Sequence, residues 1–372
     1  MMMMMYNPER LRLARERRGM TMAGLAKNSE LTSKTISNYE NAVPGLEPTD
    51  ASMGKLAKAL GYPLSFFLRE ELPALEQEAV SFRAMSKLSV KNKNSAIAAG
   101  KLAKEFTQWL DEHFTLPELQ VPALETTDYI DPADAAASLR QTWRLGELSI
   151  NNMVHLLESK GARVYSLAEN CLEVDAFSFW EDHTPYILLN TMKSPERSRF
   201  DAAHELGHLV MHKYAQNHGP EAEKQANQFA SAFLMPEASV KSILRPSPTL
   251  HQLIQQKKHW KVSLAALVRR SYDLKFSSDW HYRQLSIQLS RLGYRTHEPE
   301  GIAKRESSLL IAKVFHTLHN KNISQKVVLN QLGWPVDELK NLTFGLGLGM
   351  HVVSNEKSTP SEVKRPDLRV VK

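Results

Sequence analysis

The chain has 372 residues, of which 42% are apolar and 24% are charged, and it carries a net charge of +6. This composition is typical of a soluble globular protein, and the length predicts two or three domains. There is no run of about 18 apolar residues, so we expect no membrane-spanning segment. The start lacks the apolar core of a signal peptide and the single cysteine, Cys171, cannot form an internal disulfide. We therefore expect a cytoplasmic protein.

Helix start signals recur along the first segment, residues 6–71. Asn7 followed by Pro8 is typical of a helix start, because Asn can cap the helix and Pro loses no hydrogen bond at the first position. Thr21 and Thr32 can each cap a further short helix. The segment is therefore predicted to be a small all-α bundle.

The positive charge is concentrated in two stretches. Between Arg10 and Lys34, seven basic residues stand against two acids, and a second basic stretch extends from Lys257 to Lys313. Such stretches favour an anionic partner such as nucleic acid. A solvated helix face gives the same pattern, so charge alone leaves both interpretations open. The seven basic residues are Arg10, Arg12, Arg15, Arg17, Arg18, Lys27 and Lys34.

Beyond the first segment, composition and periodicity predict a multidomain, mostly α protein. The apolar spacing between Ser95 and His113 predicts a long helix in a linker, and only the segment after it contains runs with strand character. The tail is polar, basic and contains Pro, which predicts disorder. The predicted segments are a helical linker at 72–127, an α+β domain with a small sheet at 128–245, a helical region at 246–345 and a disordered tail at 346–372.

The α+β segment contains the motif His204-Glu205-Leu206-Gly207-His208 on a predicted helix. Ser194-Pro195-Glu196 provides the start of that helix. Residues four apart share one helix face, so His204 and His208 can direct imidazole nitrogens at one ion. Zn²⁺ is the ion that this pattern favours, and Glu205 lies beside it as the candidate general base.

A catalytic zinc site needs a third protein ligand and an open position. Glu223, on the next predicted helix, can be that ligand, and Asn227 lies one turn further on. From this position Asn227 can hydrogen-bond a liganding imidazole. The residues alone leave open that Glu223 is an ordinary surface glutamate.

The motif, together with Glu223 to Ala230 and Phe233-Leu234-Met235-Pro236, resembles the ImmA/IrrE family of metallopeptidases. The resemblance covers roughly residues 150–236 and implies a zincin-like peptidase domain within 128–245. It implies that His204, His208 and Glu223 are zinc ligands and that Glu205 is the catalytic base. Many relatives carry an acid where this chain has Gln225, which leaves Glu223 as the carboxylate at the ligand position.

Further residues near the motif are weaker candidates. His212, Tyr214 and His218 follow the second histidine and can donate to an oxyanion, although ordinary structural roles are more frequent. The run from Tyr186 to Asn190 is predicted to be a strand. It is a candidate edge strand on which a peptide substrate pairs, and an ordinary sheet strand is compatible with that prediction.

The residues from Thr32 to Asn41 are typical of a recognition helix, with Ile36 and Tyr39 facing inward and short polar side chains facing outward. With the flanking helices they resemble the Cro/repressor-type (XRE) helix-turn-helix over residues 6–68. The match departs at Met22 and Ala23, where relatives commonly carry Gln and an acid. The alternative is a protein-interaction module of the same shape. The predicted DNA-contact residues are Thr32, Ser33, Lys34, Thr35, Ser37 and Asn38.

These motifs together predict a DNA-binding transcriptional regulator with a zinc-dependent endopeptidase domain. Such a protein would bind a double-stranded DNA operator as a homodimer and cleave a regulator protein or itself. The resemblance implies a stress, prophage, mobile-element or toxin–antitoxin context. The alternative is a DNA-binding repressor or antitoxin whose zinc site is structural or sensory, with little proteolysis.

Overall fold

The computed structural model of the chain describes residues 6–75, 89–124, 131–167, 174–213 and 219–346. Within these ranges the protein is mostly helical and contains one three-stranded sheet, as the sequence predicts. Cys171 and the predicted disordered tail beyond residue 346 lie outside the described residues. None of the described helices is long and apolar enough to cross a membrane.

The first segment forms a bundle of short helices whose starts are those that the sequence predicts. Asn7 accepts a hydrogen bond from the Glu9 amide, and Thr21 and Thr32 cap the next two helices. Each such cap contributes about 1 kcal/mol of helix stability. The elements are α1 (Pro8–Arg17), α2 (Met22–Ser29), α3 (Ser33–Glu40), α4 (Asp50–Leu60) and a 3₁₀ helix (Leu64–Leu68).

The long helix α5 (Val90–His113) follows, and its buried face lies against both α1 and the sheet. Gly100 allows the close approach to the sheet. A Cβ atom at this position would lie 2.6 Å from Leu75 Cδ1 and 3.4 Å from Phe179 Cε1. The segment predicted to be a linker therefore packs in a core.

The sheet consists of β1 (Arg163–Leu167), β2 (Ala176–Glu181) and β3 (Thr184–Asn190) in the order β1-β3-β2. β3 pairs in parallel with β1 and antiparallel with β2. The prediction that Tyr186 to Asn190 is an edge strand is therefore wrong, because β3 is the central strand. Its uninterrupted apolar run is typical of a strand that is covered on both faces. β2 is the outer strand on the side of the HExxH helix.

Two hydrophobic cores lie on opposite faces of this sheet. Tyr165, Phe179 and Leu188 face the first core, which contains the N-terminal bundle, α5 and the last helices. Val164, Ile187 and Leu189 face the second core, which contains the HExxH helix and its neighbours. The first core draws on four of the predicted segments.

The remaining helices complete the two cores. The second core is built from α6 to α13, and α14 to α16 pack against the first. The bounds are α6 (Pro132–Thr142), α7 (Met153–Ser159), α8 (Pro195–Met211), α9 (Pro220–Leu234), α10 (Glu237–Ile243), α11 (Leu250–Trp260), α12 (Leu264–Asp273), α13 (Asp279–Arg291), α14 (Leu309–Asn320), α15 (Gln325–Leu332) and α16 (Val336–Leu342).

A buried ion pair connects the N-terminal bundle to the last helix. Arg17 in α1 lies 2.6 Å from Glu338 in α16, and the side chains of both are 1% exposed. The Tyr62 hydroxyl donates to the same carboxylate at 2.7 Å. Because these groups are desolvated, the pair holds the two elements in one arrangement.

Candidate metal centre

Helix α8 carries the HExxH motif and begins where the sequence predicts. The Ser194 hydroxyl accepts a hydrogen bond from the Arg197 amide at 3.2 Å, and Pro195 occupies the first helical position. Glu196 lies in the first turn, where the positive end of the helix dipole stabilises its negative charge. The helix therefore presents His204, Glu205 and His208 near its middle.

Helix α9 lies directly across α8 and contributes Glu223. The approach is close at Gly207, where a Cβ atom would lie 3.0 Å from Phe229 Cδ1 and 3.2 Å from Phe229 Cγ. The glycine inside the motif therefore lets α9 approach closely enough for Glu223 to reach the two histidines.

Three side chains converge on a common point. His204 Nε2 and His208 Nε2 are 3.1 Å apart, and they lie 3.5 Å from Glu223 Oε2 and 3.3 Å from Glu223 Oε1, respectively. Ligand atoms about 2.0–2.1 Å from a tetrahedral Zn²⁺ are separated by roughly 3.3 Å. The observed separations match this value, and two imidazoles with one carboxylate form a donor set of catalytic zinc sites. Among the described residues, this is the one group of at least three His, Cys, Asp or Glu side chains that could hold a metal ion.

The pKa shifts of the three groups favour the charged forms of His204 and Glu223 and the neutral imidazole of His208. Burial lowers the pKa of His208 to about 4, which keeps this imidazole neutral. Burial opposes the charge of Glu223, but hydrogen bonds with His204 and His208 outweigh it and lower the pKa of that carboxyl. For His204, burial is likewise outweighed by Glu223 and Glu205, which raise its pKa. An anionic carboxylate thus faces two buried imidazoles.

Asn227 lies where the sequence predicts, beside the first histidine. Its Oδ1 is 3.2 Å from His204 Nδ1, and its Nδ2 donates to the Glu223 carbonyl oxygen at 2.8 Å. The second contact fixes the amide so that its oxygen faces the imidazole. His204 then donates from Nδ1 and keeps the lone pair of Nε2 directed at the common point.

His212 contacts His208 on the side of the imidazole that faces away from the common point. Its Nδ1 is 3.0 Å from His208 Nδ1, and its Nε2 is 2.9 Å from Gln225 Oε1. Because both ring nitrogens are engaged, His212 has a structural role, the more frequent of the two alternatives, and does not donate to an oxyanion. The other two candidates, Tyr214 and His218, lie outside the described residues.

Glu205 is buried beneath strand β2. Its Oε2 accepts a hydrogen bond from the Ser178 hydroxyl at 2.6 Å, and Glu205 is 2% exposed. Trp180 also links this strand to α8, because its indole Nε1 donates a hydrogen bond to the Leu209 carbonyl oxygen at 3.1 Å. The sequence interpretation missed Ser178. The available signal was a lone hydroxyl between two phenylalanines in a buried strand.

The predicted recognition helix is α3, and its orientation follows the prediction. Ile36 and Tyr39 are buried, whereas Ser33 and Lys34 are exposed. Thr32 is exposed and uses its hydroxyl to cap the helix and to contact Thr35 Oγ1 at 2.8 Å. The two remaining predicted contact residues, Ser37 and Asn38, are half-buried.

The arginines of the first basic stretch are all paired with carboxylates of the same protein. Lys27 and Lys34 are exposed, but each arginine between positions 10 and 18 forms an ion pair. Neither a nucleic-acid contact nor a solvated face fits the buried Arg10 and Arg17, whereas Arg12, whose side chain is 35% exposed, still fits a solvated helix face. The pairs are Arg10–Glu105, Arg12–Glu9, Arg15–Glu40, Arg17–Glu338 and Arg18–Asp337.

Two helices that bring an HExxH motif and a glutamate together, next to a small sheet, define a domain of the metallopeptidase class. The N-terminal bundle has the helix order of a DNA-binding helix-turn-helix. Family models agree with both assignments: residues 158–272 match the IrrE N-terminal-like domain, and residues 11–67 match the helix-turn-helix. The chain is therefore a fusion of a helix-turn-helix domain with an ImmA/IrrE-type domain. A search of curated proteins found no match.

Proposed function

We propose that this protein is a DNA-binding regulator that carries a zinc-dependent endopeptidase. The observation that carries the proposal is the cluster of His204 Nε2, His208 Nε2 and the two Glu223 carboxylate oxygens, with contacts of 3.1–3.5 Å. Its size and donor set suit one Zn²⁺. The three residues are the proposed ligands, and Glu205, which lies beside them on α8, is the proposed general base.

The chemistry divides between the ion and the side chains. A zinc ion at this site would supply Lewis-acid chemistry, polarising the scissile carbonyl and acidifying a water molecule. Glu205 takes the proton of the attacking water and returns it to the leaving amine. Ser178 holds the Glu205 carboxylate in place, while Asn227 keeps His204 directed at the ion.

The proposed position of the peptide substrate is along β2. The Asn190 amide donates to the Asp175 carbonyl oxygen at 3.1 Å, so Asp175 and Asn190 are a hydrogen-bonded pair. This pair determines which residues of β2 hydrogen-bond to β3. In an antiparallel pair, the backbone groups of alternate residues point away from the partner strand. Ala176, Ser178 and Trp180 therefore present their backbone groups at the outer edge of β2. A peptide that pairs there runs beside Glu205, as in β-augmentation.

The N-terminal bundle is proposed to place this peptidase on an operator. Exposed Ser33 and Lys34 at the start of α3 suit contacts with base edges and phosphates of the major groove. A homodimer would bind two half-sites with one recognition helix in each. The substrate is then a regulator bound at the same locus, or the protein itself.

The proposal is tested by Glu205→Gln. Cells that express the wild-type protein are expected to contain new termini in a partner regulator or in this chain. These termini should be absent with Glu205→Gln, although the purified variant still binds zinc. If the variant generates the same termini as the wild type, the assignment of Glu205 as the base is wrong.

A second candidate function is a DNA-binding repressor whose zinc site is structural or sensory. The observation that favours it is the burial of Glu205, whose carboxylate is covered by β2 and hydrogen-bonded by Ser178. In this case the protein would fold more stably with zinc and change its affinity for DNA. No new termini would appear under any condition that loads the metal.

A further inference from the structure

A hydrogen-bonded chain of three side chains lies behind the second histidine of the motif. Gln225 Oε1 is 2.9 Å from His212 Nε2, and His212 Nδ1 is 3.0 Å from His208 Nδ1. His208 and His212 are 8% and 7% exposed, so water is not an adequate substitute partner for their ring nitrogens. The inference that follows rests on the proposed function, because it assumes that His208 binds the ion.

The donors and acceptors of these two hydrogen bonds are determined if His208 is a ligand. A liganding imidazole presents the bare lone pair of Nε2, so its proton is on Nδ1. Only one proton fits between the two Nδ1 atoms, and His208 supplies it. His212 must therefore have a bare Nδ1 and carry its proton on Nε2. That proton needs an acceptor, which Gln225 Oε1 provides.

We propose that Gln225 is a positioning residue that sets the tautomer of His208 through His212. Asn227 Oδ1 does the same for His204 by direct contact at 3.2 Å. Helix α9 therefore contributes three groups at alternate positions. Glu223 is the proposed carboxylate ligand, Gln225 orients His208 through His212, and Asn227 orients His204. The first histidine is oriented by an exposed amide, and the second by the buried His212 and the half-buried Gln225.

The test measures Zn²⁺ affinity of the full chain by competition with a chelator. Gln225→Leu removes the acceptor at similar volume and is expected to weaken binding by about 10–100-fold. Gln225→Glu keeps an acceptor that cannot act as a donor when ionised, so it should retain wild-type affinity or exceed it. Gln228→Leu, at an exposed position on the same helix, is the matched control and should leave the affinity unchanged. Equal affinities of Gln225→Leu and wild type would overturn the proposal.

A double-mutant cycle tests whether Gln225 acts through His212. His212→Phe removes the middle of the relay and is expected to weaken zinc binding. In that background Gln225→Leu should cause no further loss, because the two changes interrupt one path. A second loss of the same size in the His212→Phe background would mean that Gln225 acts otherwise, which contradicts the relay.

Nitrogen-15 NMR of the zinc-loaded wild-type protein gives a readout that needs no variant. The expected spectrum has His208 protonated on Nδ1 and His212 neutral with its proton on Nε2. A proton on His212 Nδ1 would overturn the proposal. A wild-type chain that binds no zinc would instead refute the proposed function, so the two failures are distinguishable.

Discussion

At the scale of single residues, Glu205, the proposed general base, accepts a hydrogen bond from a hydroxyl on the neighbouring strand. Ser178 donates to Glu205 at 2.6 Å, and both residues are 2% exposed. This contact orients the carboxylate without touching the three proposed ligands. Loss of the hydroxyl should therefore affect catalysis and leave metal binding intact.

We predict that Ser178→Ala lowers kcat of peptide cleavage by about tenfold with little change in KM or zinc affinity, because a poorly oriented base transfers protons less efficiently. Steady-state kinetics and metal analysis of the same preparation check this. Ser166→Ala is the control, since Ser166 lies in β1 and donates to the Asn341 carbonyl oxygen. An unchanged kcat in Ser178→Ala would show that the contact is not used in catalysis.

At the scale of elements, the separation of α8 and α9 determines whether Glu223 reaches the histidines. The two helices approach closely at Gly207, where an added Cβ would meet the Phe229 ring at 3.0 Å. An alanine there must move the ring or the helix by a few tenths of an ångström. Displacement of α9 would move the ligand, the two orienting acceptors, or both.

We predict that Gly207→Ala weakens zinc binding by about tenfold, as a displaced ligand shell does. Chelator competition measures the affinity. Gly54→Ala is the matched control, because no atom lies within 4 Å of a Cβ at that position in α4. That control should keep wild-type zinc affinity and gain about 0.5–1 kcal/mol of stability from the better helix former. Equal zinc affinities for both variants would contradict the close-approach argument.

Helix α3 carries the DNA-binding prediction. Lys34→Ala is expected to weaken operator binding and to reduce the slope of log affinity against log salt by about one, because one phosphate contact is lost. Fluorescence anisotropy over a salt series measures both quantities. Lys224→Ala is the control, since Lys224 is exposed on α9 and pairs with Glu221. An unchanged slope in Lys34→Ala would remove this lysine from the interface.

Local signals in the sequence predicted the elements and most of the site. The caps at Thr21, Thr32 and Ser194 depend on residues three positions away, and the HExxH spacing depends on one helical turn. Contacts between distant positions were not predictable. The hydrogen bond between Ser178 and Glu205 requires the sheet order, which the apolar run of β3 does not reveal.

At the scale of the whole molecule, three arginines of the first basic stretch, Arg10, Arg17 and Arg18, connect the N-terminal bundle to later helices. Arg17 reaches Glu338 across 321 positions of sequence, and Arg10 reaches Glu105 in α5 at 2.8 Å. Counting basic residues cannot distinguish a free charge from one that meets an acid after folding. The DNA-binding bundle and the last helix therefore belong to one core.

We predict that Glu338→Ala destabilises the protein by about 3–5 kcal/mol, because it removes the carboxylate that faces the buried Arg17 charge. Asp337→Ala is the matched control. Its carboxylate pairs with Arg18 but is 52% exposed, so the cost should be about 0–1 kcal/mol. Urea unfolding measures both. Equal losses of unfolding free energy in Glu338→Ala and Asp337→Ala would contradict the stabilising role of the buried pair.

The measurement that tests the central claim most directly is the zinc content and X-ray absorption spectrum of the purified full chain. The account predicts one Zn²⁺ per chain, bound by two imidazole nitrogens and at least one carboxylate oxygen. Glu205→Gln should keep this zinc, and Glu223→Ala should lose most of it. A wild-type chain without stoichiometric zinc, or a Glu223→Ala variant with an unchanged spectrum, would contradict the account.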